Sequence, residues 1–313
     1  MKATGVSNVT ITIGICAFNE ERNIGPLLNV LLAQELPFPT ETIVVSDGST
    51  DATDSIVQEI AKKNLGMRLV RHSNRKGKSE ALNTLFRESR GEIVVTISGD
   101  MQIEVGSVRK MVDTIRGLPT VGMCWAKPIP IFPERGLVER IGHLAFRLHD
   151  RFYKKLNLAG EVRHSTGELV VFRREAFTQL PADCVNDDEY LALQATRKGF
   201  KVHYVTEITA GASLPRTMLD YVKQRRRWVY GHFQTRRILG EYPSVMEFSL
   251  TKRPMLVASV ILNEVTERPA ELPVFLASLL VEFGVVLLAL RDVAMRVGHS
   301  PWDIVQSTKR PQQ

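Results

Sequence analysis

The sequence predicts an α/β fold in which helices flank a mostly parallel sheet, followed by an apolar helical region toward the C-terminus. Three observations carry that reading. Short β-branched runs alternate with stretches of helical periodicity from Thr10 to Arg116, joined by short connections. Two of the runs pass straight into an acid beside a glycine, at Ser46-Asp47-Gly48 and at Ser98-Gly99-Asp100. In sheets built from strand–helix repeats, ligands bind beyond the carboxyl ends of the strands, so both acids fall on the expected ligand edge.

Thr10–Ala17 alternates β-branched and small residues and reads as the first strand. Asn19-Glu20-Glu21 then opens a helix in which Ile24, Leu27, Leu28, Leu31 and Leu32 recur at helical spacing. Ile43-Val44-Val45 is the apolar run of a buried parallel strand. Asp51–Lys63 reads as a helix, Met67–Arg71 as a strand, and Lys78–Arg90 as a helix with Ala81, Leu82, Leu85 and Phe86 in register. Glu92–Ser98 is a strand and Val105–Arg116 a helix. The rhythm then changes: Pro128, Pro130 and Pro133 mark a connector. Leu137–Tyr153 follows as a long amphipathic helix, with strands at Glu168–Phe172 and Lys201–Val205. Between those strands, Asp187–Lys198 is a helix whose acidic first turn suits its dipole and whose stop is Gly199. Pro215–Leu239 is a basic helix.

Hydrophobic residues make up 44% of the chain and charged residues 24%, enough for a core and against disorder. A net charge of +7 and a pI near 9.4 point to anionic partners. Cys16, Cys124 and Cys184 are far apart, odd in number and without metal-type spacing, which predicts a reducing compartment. The first residues lack the apolar stretch of a signal peptide. Pro273–Leu290 is nearly all apolar, with Glu282 its one charge. A span needs about 20 such residues, and a charge at mid-depth costs roughly 2.5 kcal/mol or more. The segment therefore stands between a membrane helix and a buried or interfacial one.

Four short segments carry the chemistry, each ordinary by itself. Asp47 sits in a strand-end turn, where a carboxylate can accept the imide N–H of a pyrimidine base; as a bland alternative, Ser49 and Asp51 cap the next helix. Asp100 follows a glycine that permits close backbone approach, and a carboxylate there can bridge to a diphosphate through Mg2+ or Mn2+. Asn186-Asp187-Asp188-Glu189 opens a helix; beyond capping, its crowded acids raise one another's pKa, which suits Asp188 to general-base work. Gln224-Arg225-Arg226-Arg227-Trp228 lies on a helix that also carries Arg216, Lys223, Arg236 and Arg237. Arg227 can neutralise a departing diphosphate and Trp228 can stack on a sugar, where a plain basic face is the alternative. Lys78, at a helix start, is placed to meet a phosphate, although the strand–glycine loop of a nucleotide-hydrolysing P-loop is missing. His143, His149, His164, His203 and His232 show no metal-ligand spacing and are expected to be structural or solvated.

In this order the segments resemble the inverting family 2 glycosyltransferases of GT-A fold, and most closely their membrane-associated polysaccharide synthase branch. The resemblance spans about residues 10–235. Ile15-Cys16-Ala17-Phe18-Asn19-Glu20 is similar to the family's first strand and turn, with Ala17 where proline is usual. Asp47 matches the base-binding aspartate, with Ser46 in place of a frequent first aspartate, and Gly77-Lys78…Ala81-Leu82-Asn83 matches the Gly-Lys…Ala-Leu-Asn segment. Asp100 matches the metal-binding acid of the DxD motif, with Ser98 replacing its first acid. Asp188 matches the catalytic base, and Gln224, Arg227 and Trp228 match Gln-x-x-Arg-Trp. Trp302-Asp303…Thr308-Lys309-Arg310 is similar to the tail of some synthases.

The resemblance implies a metal-dependent enzyme with Mg2+ or Mn2+ as cofactor, moving sugar from a UDP-sugar (UDP-GlcNAc or UDP-glucose) to a saccharide or lipid-linked acceptor. Asp188 and Arg227 would be catalytic, Asp47, Lys78, Gln224 and Trp228 would bind substrate, and Asp100 would hold the metal. Residues 1–240 would form the transferase domain, split into a nucleotide-binding half (1–127) and an acceptor half (128–240), with 241–313 a helical, membrane-associated region. The expected setting is the cytoplasmic face of a membrane, with a membrane partner subunit as one option and no nucleic acid. A polyprenyl-phosphate glycosyltransferase and a sugar-nucleotide-binding module without catalysis are the alternatives. A nucleotidyltransferase shares the sheet but lacks a Gly-rich first turn.

Overall fold

A computed structural model describes residues 10–299, so the Trp302–Arg310 tail motif lies outside the described residues. Four strands, β1 (Ile11–Ala17), β2 (Thr40–Ser46), β3 (Met67–Arg71) and β4 (Ile93–Ser98), alternate with α1 (Ile24–Leu32), α2 (Thr53–Lys62) and α3 (Lys78–Glu88) and pair in parallel. After α4 (Ser107–Gly117) come β5 (Val121–Pro130), α5 (Leu137–Leu158), β6 (Leu169–Arg173), α6 (Asp187–Arg197), β7 (Lys201–Ala212) and α7 (Met218–Leu239). The seven strands form one sheet in the order β3-β2-β1-β4-β6-β5-β7, with β6 antiparallel to β4 and β5 and β7 parallel to β5.

Both faces of the sheet are covered, which explains why its strands read as unbroken apolar runs rather than alternating ones. Successive residues of one strand feed opposite cores. Ile43 and Val45 join Leu85, Trp125 and Phe152 on one face, and Val44 joins Val95, Met111 and Ile115 on the other.

Two expectations are corrected here. Pro128 and Pro130 are no connector but the last part of β5, paired with Ala210 and Ala212 of β7. β6 pairs only with Met123–Trp125, so the end of β5 is laddered on one side and a proline can sit there without losing a bond. β7 correspondingly runs on to Ala212, well past Val205.

Gly240, left-handed at φ 72°, ends α7. The chain continues as α8 (Met246–Lys252), α9 (Pro254–Glu267) and α10 (Leu272–Met295). Pro269–Met295 is long and apolar enough to cross a membrane, with a mean hydropathy of 2.4. Its inner face does not stand free: Val274 and Phe275 pack with Ile141 and Leu144 of α5, and Val285 and Ala289 with Val229 of α7. Glu282 turns inward and accepts hydrogen bonds from the Tyr221 hydroxyl (2.8 Å) and the Arg225 guanidinium (3.0 Å), both on α7. Leu276, Leu280, Phe283, Leu287 and Leu290, spaced four and three residues apart, remain exposed along the other face.

Candidate active site

The ends of β1, β2 and β4 carry the turns that hold the acids. Asn19, left-handed at φ 54°, follows β1 and accepts a hydrogen bond from Thr50 N (2.8 Å), while its own N–H donates to Ser49 Oγ (3.1 Å). The turns after β1 and β2 are thus locked together. Asp47 is fully enclosed, and its carboxylate accepts from Lys76 N and Gly77 N (each 2.8 Å) and meets His72 Nδ1 at 2.7 Å. It fixes the loop between β3 and α3. Base contact would require that loop to move, because a carboxylate with no exposed surface and two backbone donors has little left to offer.

Lys78 opens α3, but its ammonium does not face open solvent. It pairs with Asp187 Oδ2 at 3.1 Å. Burial would lower its pKa, yet Asp187 and Asp188 outweigh that and hold it raised. Further along α3, Ser79 Oγ donates to Cys184 O (3.0 Å), and Asn83 bonds both the carbonyl and the N–H of Leu180. The Gly-Lys…Ala-Leu-Asn stretch therefore seats the loop that delivers Asp187 and Asp188.

Asp188 stands at the start of α6, half-buried, accepting from Glu189 N at 2.8 Å. Burial and the Asp187 carboxylate push its pKa up to about 7, against the opposing pull of Lys78. Gly167, entering β6, leaves room for this group: a Cβ there would come within 2.9 Å of Lys78 Nζ and 3.4 Å of Asp188 Oδ2. Asn186 does not cap α6. Its amide instead donates to Trp228 O on α7 (3.0 Å), and Gly231 on α7 admits the Asn186 side chain.

No local spacing points to the buried cluster behind Asp188. Glu189 Oε2 accepts from His232 Nδ1 (2.5 Å) and His164 Nδ1 (3.2 Å), residues 43 and 25 positions away. Burial alone would raise Glu189, but the two imidazoles bring it down to about 2. The carboxylate in turn raises His232 above its usual value.

Asp188, Asn186, His164, His232 and Trp228 line a cavity of about 800 Å³ between α5, α7 and the C-terminal helices. Arg225 lies 5.6 Å from the Trp228 ring centre and bonds Glu247 and Glu282. Gln224 and Arg227 are half-buried on the same helix but do not line that cavity.

Asp100 is half-buried in the turn after β4. Burial raises the pKa of Glu168, and Asp100 adds to that. Glu168 Oε2 is enclosed with no partner among the described residues, where no set of three or more His, Cys, Asp or Glu gathers as a metal cage. One carboxylate beside a second, underused one suits a hard divalent ion that takes its remaining ligands from a diphosphate and water. Ser98 donates to Gly167 O (3.1 Å), a structural task.

A sequence profile of the family described as Glycosyl transferase family 2 matches residues 12–180. Poly-beta-1,6-N-acetyl-D-glucosamine synthase of Staphylococcus aureus (strain COL) is 24% identical over 247 residues, which are 78% of this chain and 58% of that protein. The Staphylococcus epidermidis synthase is 23% identical over 225 residues, covering 71% and 54%. The chain thus spans little more than half the length of these curated relatives. Among solved structures, mannosyltransferase PcManGT from Pyrobaculum calidifontis, in complex with GDP-Man and Mn2+, aligns over 93% of this chain and 76% of its own, with a TM-score of 0.62 at 24% identity. Residues 1–349 of S. aureus TarS, in complex with UDP, align over 88% and 81% at a TM-score of 0.50 and 15% identity. These likenesses show the fold.

Proposed function

The chain belongs to glycosyl transferase family 2, and on that premise we propose that it moves a sugar from a UDP-sugar to an acceptor hydroxyl with inversion at the anomeric carbon. The observation that carries the proposal is Asp188, a cavity-lining carboxylate whose pKa stands at about 7. Such a group takes a proton near neutrality without being a weak base.

In the proposed reaction Asp188 removes the acceptor's O–H proton. The oxygen attacks the anomeric carbon from the face opposite the diphosphate, the bond from that carbon to the diphosphate breaks, and UDP departs as an anion. No strong general acid is needed for such a leaving group. Arg227 is assigned to the charge on the departing diphosphate. Lys78, paired with Asp187, stabilises Asp188 after it has lost its proton. Asp100 would hold Mg2+ or Mn2+, which when bound supplies Lewis-acid neutralisation of the diphosphate. Asp47, with His72, holds the donor-side loop. Gln224 is assigned to substrate binding, and Trp228 to stacking on a sugar or walling the acceptor site. A UDP donor has support from the TarS complex with UDP and from the synthase relatives, which bear the name of an N-acetylglucosamine polymer. UDP-GlcNAc is accordingly the first donor to try, with UDP-glucose second.

The domain reading follows the same line: residues 1–240 as the transferase unit and 241–313 as a membrane-associated helical region on the cytoplasmic side, where sugar nucleotides are made. The test is metal-dependent UDP release across a panel of UDP-sugars, comparing the parent with Asp188→Asn. Release supported by one donor and lost in the variant is the expected result. Undiminished turnover by the variant would remove Asp188 from the reaction.

A further inference from the structure

The cavity that Asp188 lines has a mixed wall. Asn186, His164 and His149 are polar. Leu144, Leu148, Phe275 and Val286 are apolar, and so are Leu250, Leu279 and Phe283, which are 57%, 48% and 66% exposed. Phe283 belongs to the exposed stripe of α10 that also carries Leu276, Leu280, Leu287 and Leu290. Exposed apolar residues of the outer surface and Asp188 therefore line one and the same cavity. At about 800 Å³ the cavity matches the larger small-molecule sites. A free sugar lying there would press its hydroxyls against hydrocarbon walls that offer them no partner.

We propose that the acceptor is a membrane lipid with an uncharged hydroxyl headgroup, which enters the cavity sideways from the bilayer beside α10 and presents its hydroxyl to Asp188. This rests on the transferase reading above and names the acceptor class for the same site. The charge pattern separates a neutral headgroup from a lipid phosphate. Arg225 is the cation deep in the wall, and it is already answered by Glu247 (2.8 Å) and Glu282 (3.0 Å). The lining lysine, Lys252, sits over the Tyr242 ring at 3.8 Å. Both lining cations are thus already engaged, and Glu247 and Glu282 stand beside Arg225, a poor place for a phosphate. His149 offers what a hydroxyl needs. Both of its ring nitrogens are enclosed without a hydrogen-bond partner among the described residues, and a neutral imidazole gives one donor and one acceptor. Burial keeps it neutral, with a pKa drawn down to about 3.

The reaction balances as an ordinary transfer. The lipid O–H proton passes to Asp188, the lipid oxygen bonds to the anomeric carbon, the bond from that carbon to the diphosphate breaks, and UDP leaves.

The full chain in detergent–lipid micelles is given radiolabelled UDP-sugar with Mn2+. It is offered dioleoylglycerol or its monoglucosyl derivative, a polyprenyl phosphate, or a soluble N-acetylglucosamine oligosaccharide. Label should move into the organic phase with the neutral lipids at least ten times faster than with either alternative. Leu148→Trp, which adds bulk to the apolar wall, should raise KM for dioleoylglycerol at least tenfold, with unchanged UDP affinity as its folding control. Preference for the oligosaccharide or for the polyprenyl phosphate overturns the inference and leaves the transferase reading standing. UDP binding with no transfer to either neutral lipid also overturns it. No UDP binding and no release with any acceptor overturns both.

Discussion

A base that deprotonates a hydroxyl must be ionised at the working pH and still hold a proton well. Asp188 meets both demands through burial and the crowding of Asp187, with Lys78 setting the balance. Asp188→Asn should lower transfer by at least about 100-fold and leave UDP affinity unchanged by calorimetry. In the parent, kcat/KM should rise with pH and reach half its maximum near pH 7. Lys78→Met removes the cation that favours the ionised carboxylate, so its profile should move to higher pH. Because the raised pKa means that folding favours protonated Asp188, the parent loses stability as pH rises from 3.8 to about 7. Asp188→Asn should therefore melt higher than the parent at pH 8, with the gap closing toward pH 4. Glu189 works the opposite way. Its depressed pKa gives stability that is present above the ordinary carboxylate value of 4.5, and the raised His232 gives stability that is present below the ordinary imidazole value of 6.5. Glu189→Gln should cost about 3–5 kcal/mol in denaturant unfolding, with the largest loss between those two pH values and a smaller one at pH 9. Asp187, Asp188 and Glu189 were legible as a candidate site beyond helix capping because crowded acids raise one another's pKa. The histidines were not, because their partner lies tens of residues away and no local pattern encodes the meeting. Asp47 was legible as an important turn residue, but which way its carboxylate faces depends on a loop 25–30 residues downstream.

At the scale of elements, the site is a junction between helices more than a row of loop residues. Asn186 leaves the N-terminus of α6 uncapped in order to bond the backbone of α7, and Gly231 makes the approach possible. A Cβ at Gly231 would lie 2.3 Å from Asn186 Oδ1, closer than atoms can stand. Gly231→Ala should therefore push the start of α6 away and misplace Asp188. Transfer should fall by roughly 10- to 100-fold, since displacements near 1 Å cost that much, with UDP affinity little altered. Strand and helix positions through α4 were readable because apolar period and turn chemistry agree there. β5 was hidden by its prolines, which advertise a break wherever a strand is laddered on both sides. Here the neighbouring β6 is short, and the proline-bearing end of β5 escapes that rule.

For the whole molecule, the decisive question is how the C-terminal helices relate to the sheet domain. Read from the sequence, Glu282 is an obstacle to placing Pro273–Leu290 in a membrane. Folded, it is tied to Arg225 and Tyr221, so α10 can present an apolar outer stripe to lipid without placing a lone charge there. The protein should float with liposomes, and since the attraction is apolar it should stay bound in 1 M NaCl, where surface charges are screened. Leu280→Lys combined with Leu287→Lys, both outside the cavity lining, should release most of it to the soluble fraction. Retention of that double variant on vesicles would mean that some other surface makes the contact.

The chain is also cut conveniently for directed evolution. Every residue assigned to the donor, the metal or the proton precedes Gly240, whereas Leu250, Val257, Ile261, Leu279, Phe283 and Val286 of the cavity wall follow it. A library confined to those six positions would vary the shape offered to the acceptor while leaving the bond-making groups in place. The left-handed glycine that closes α7 marks the seam at which a chimera could exchange selectivity and inherit chemistry.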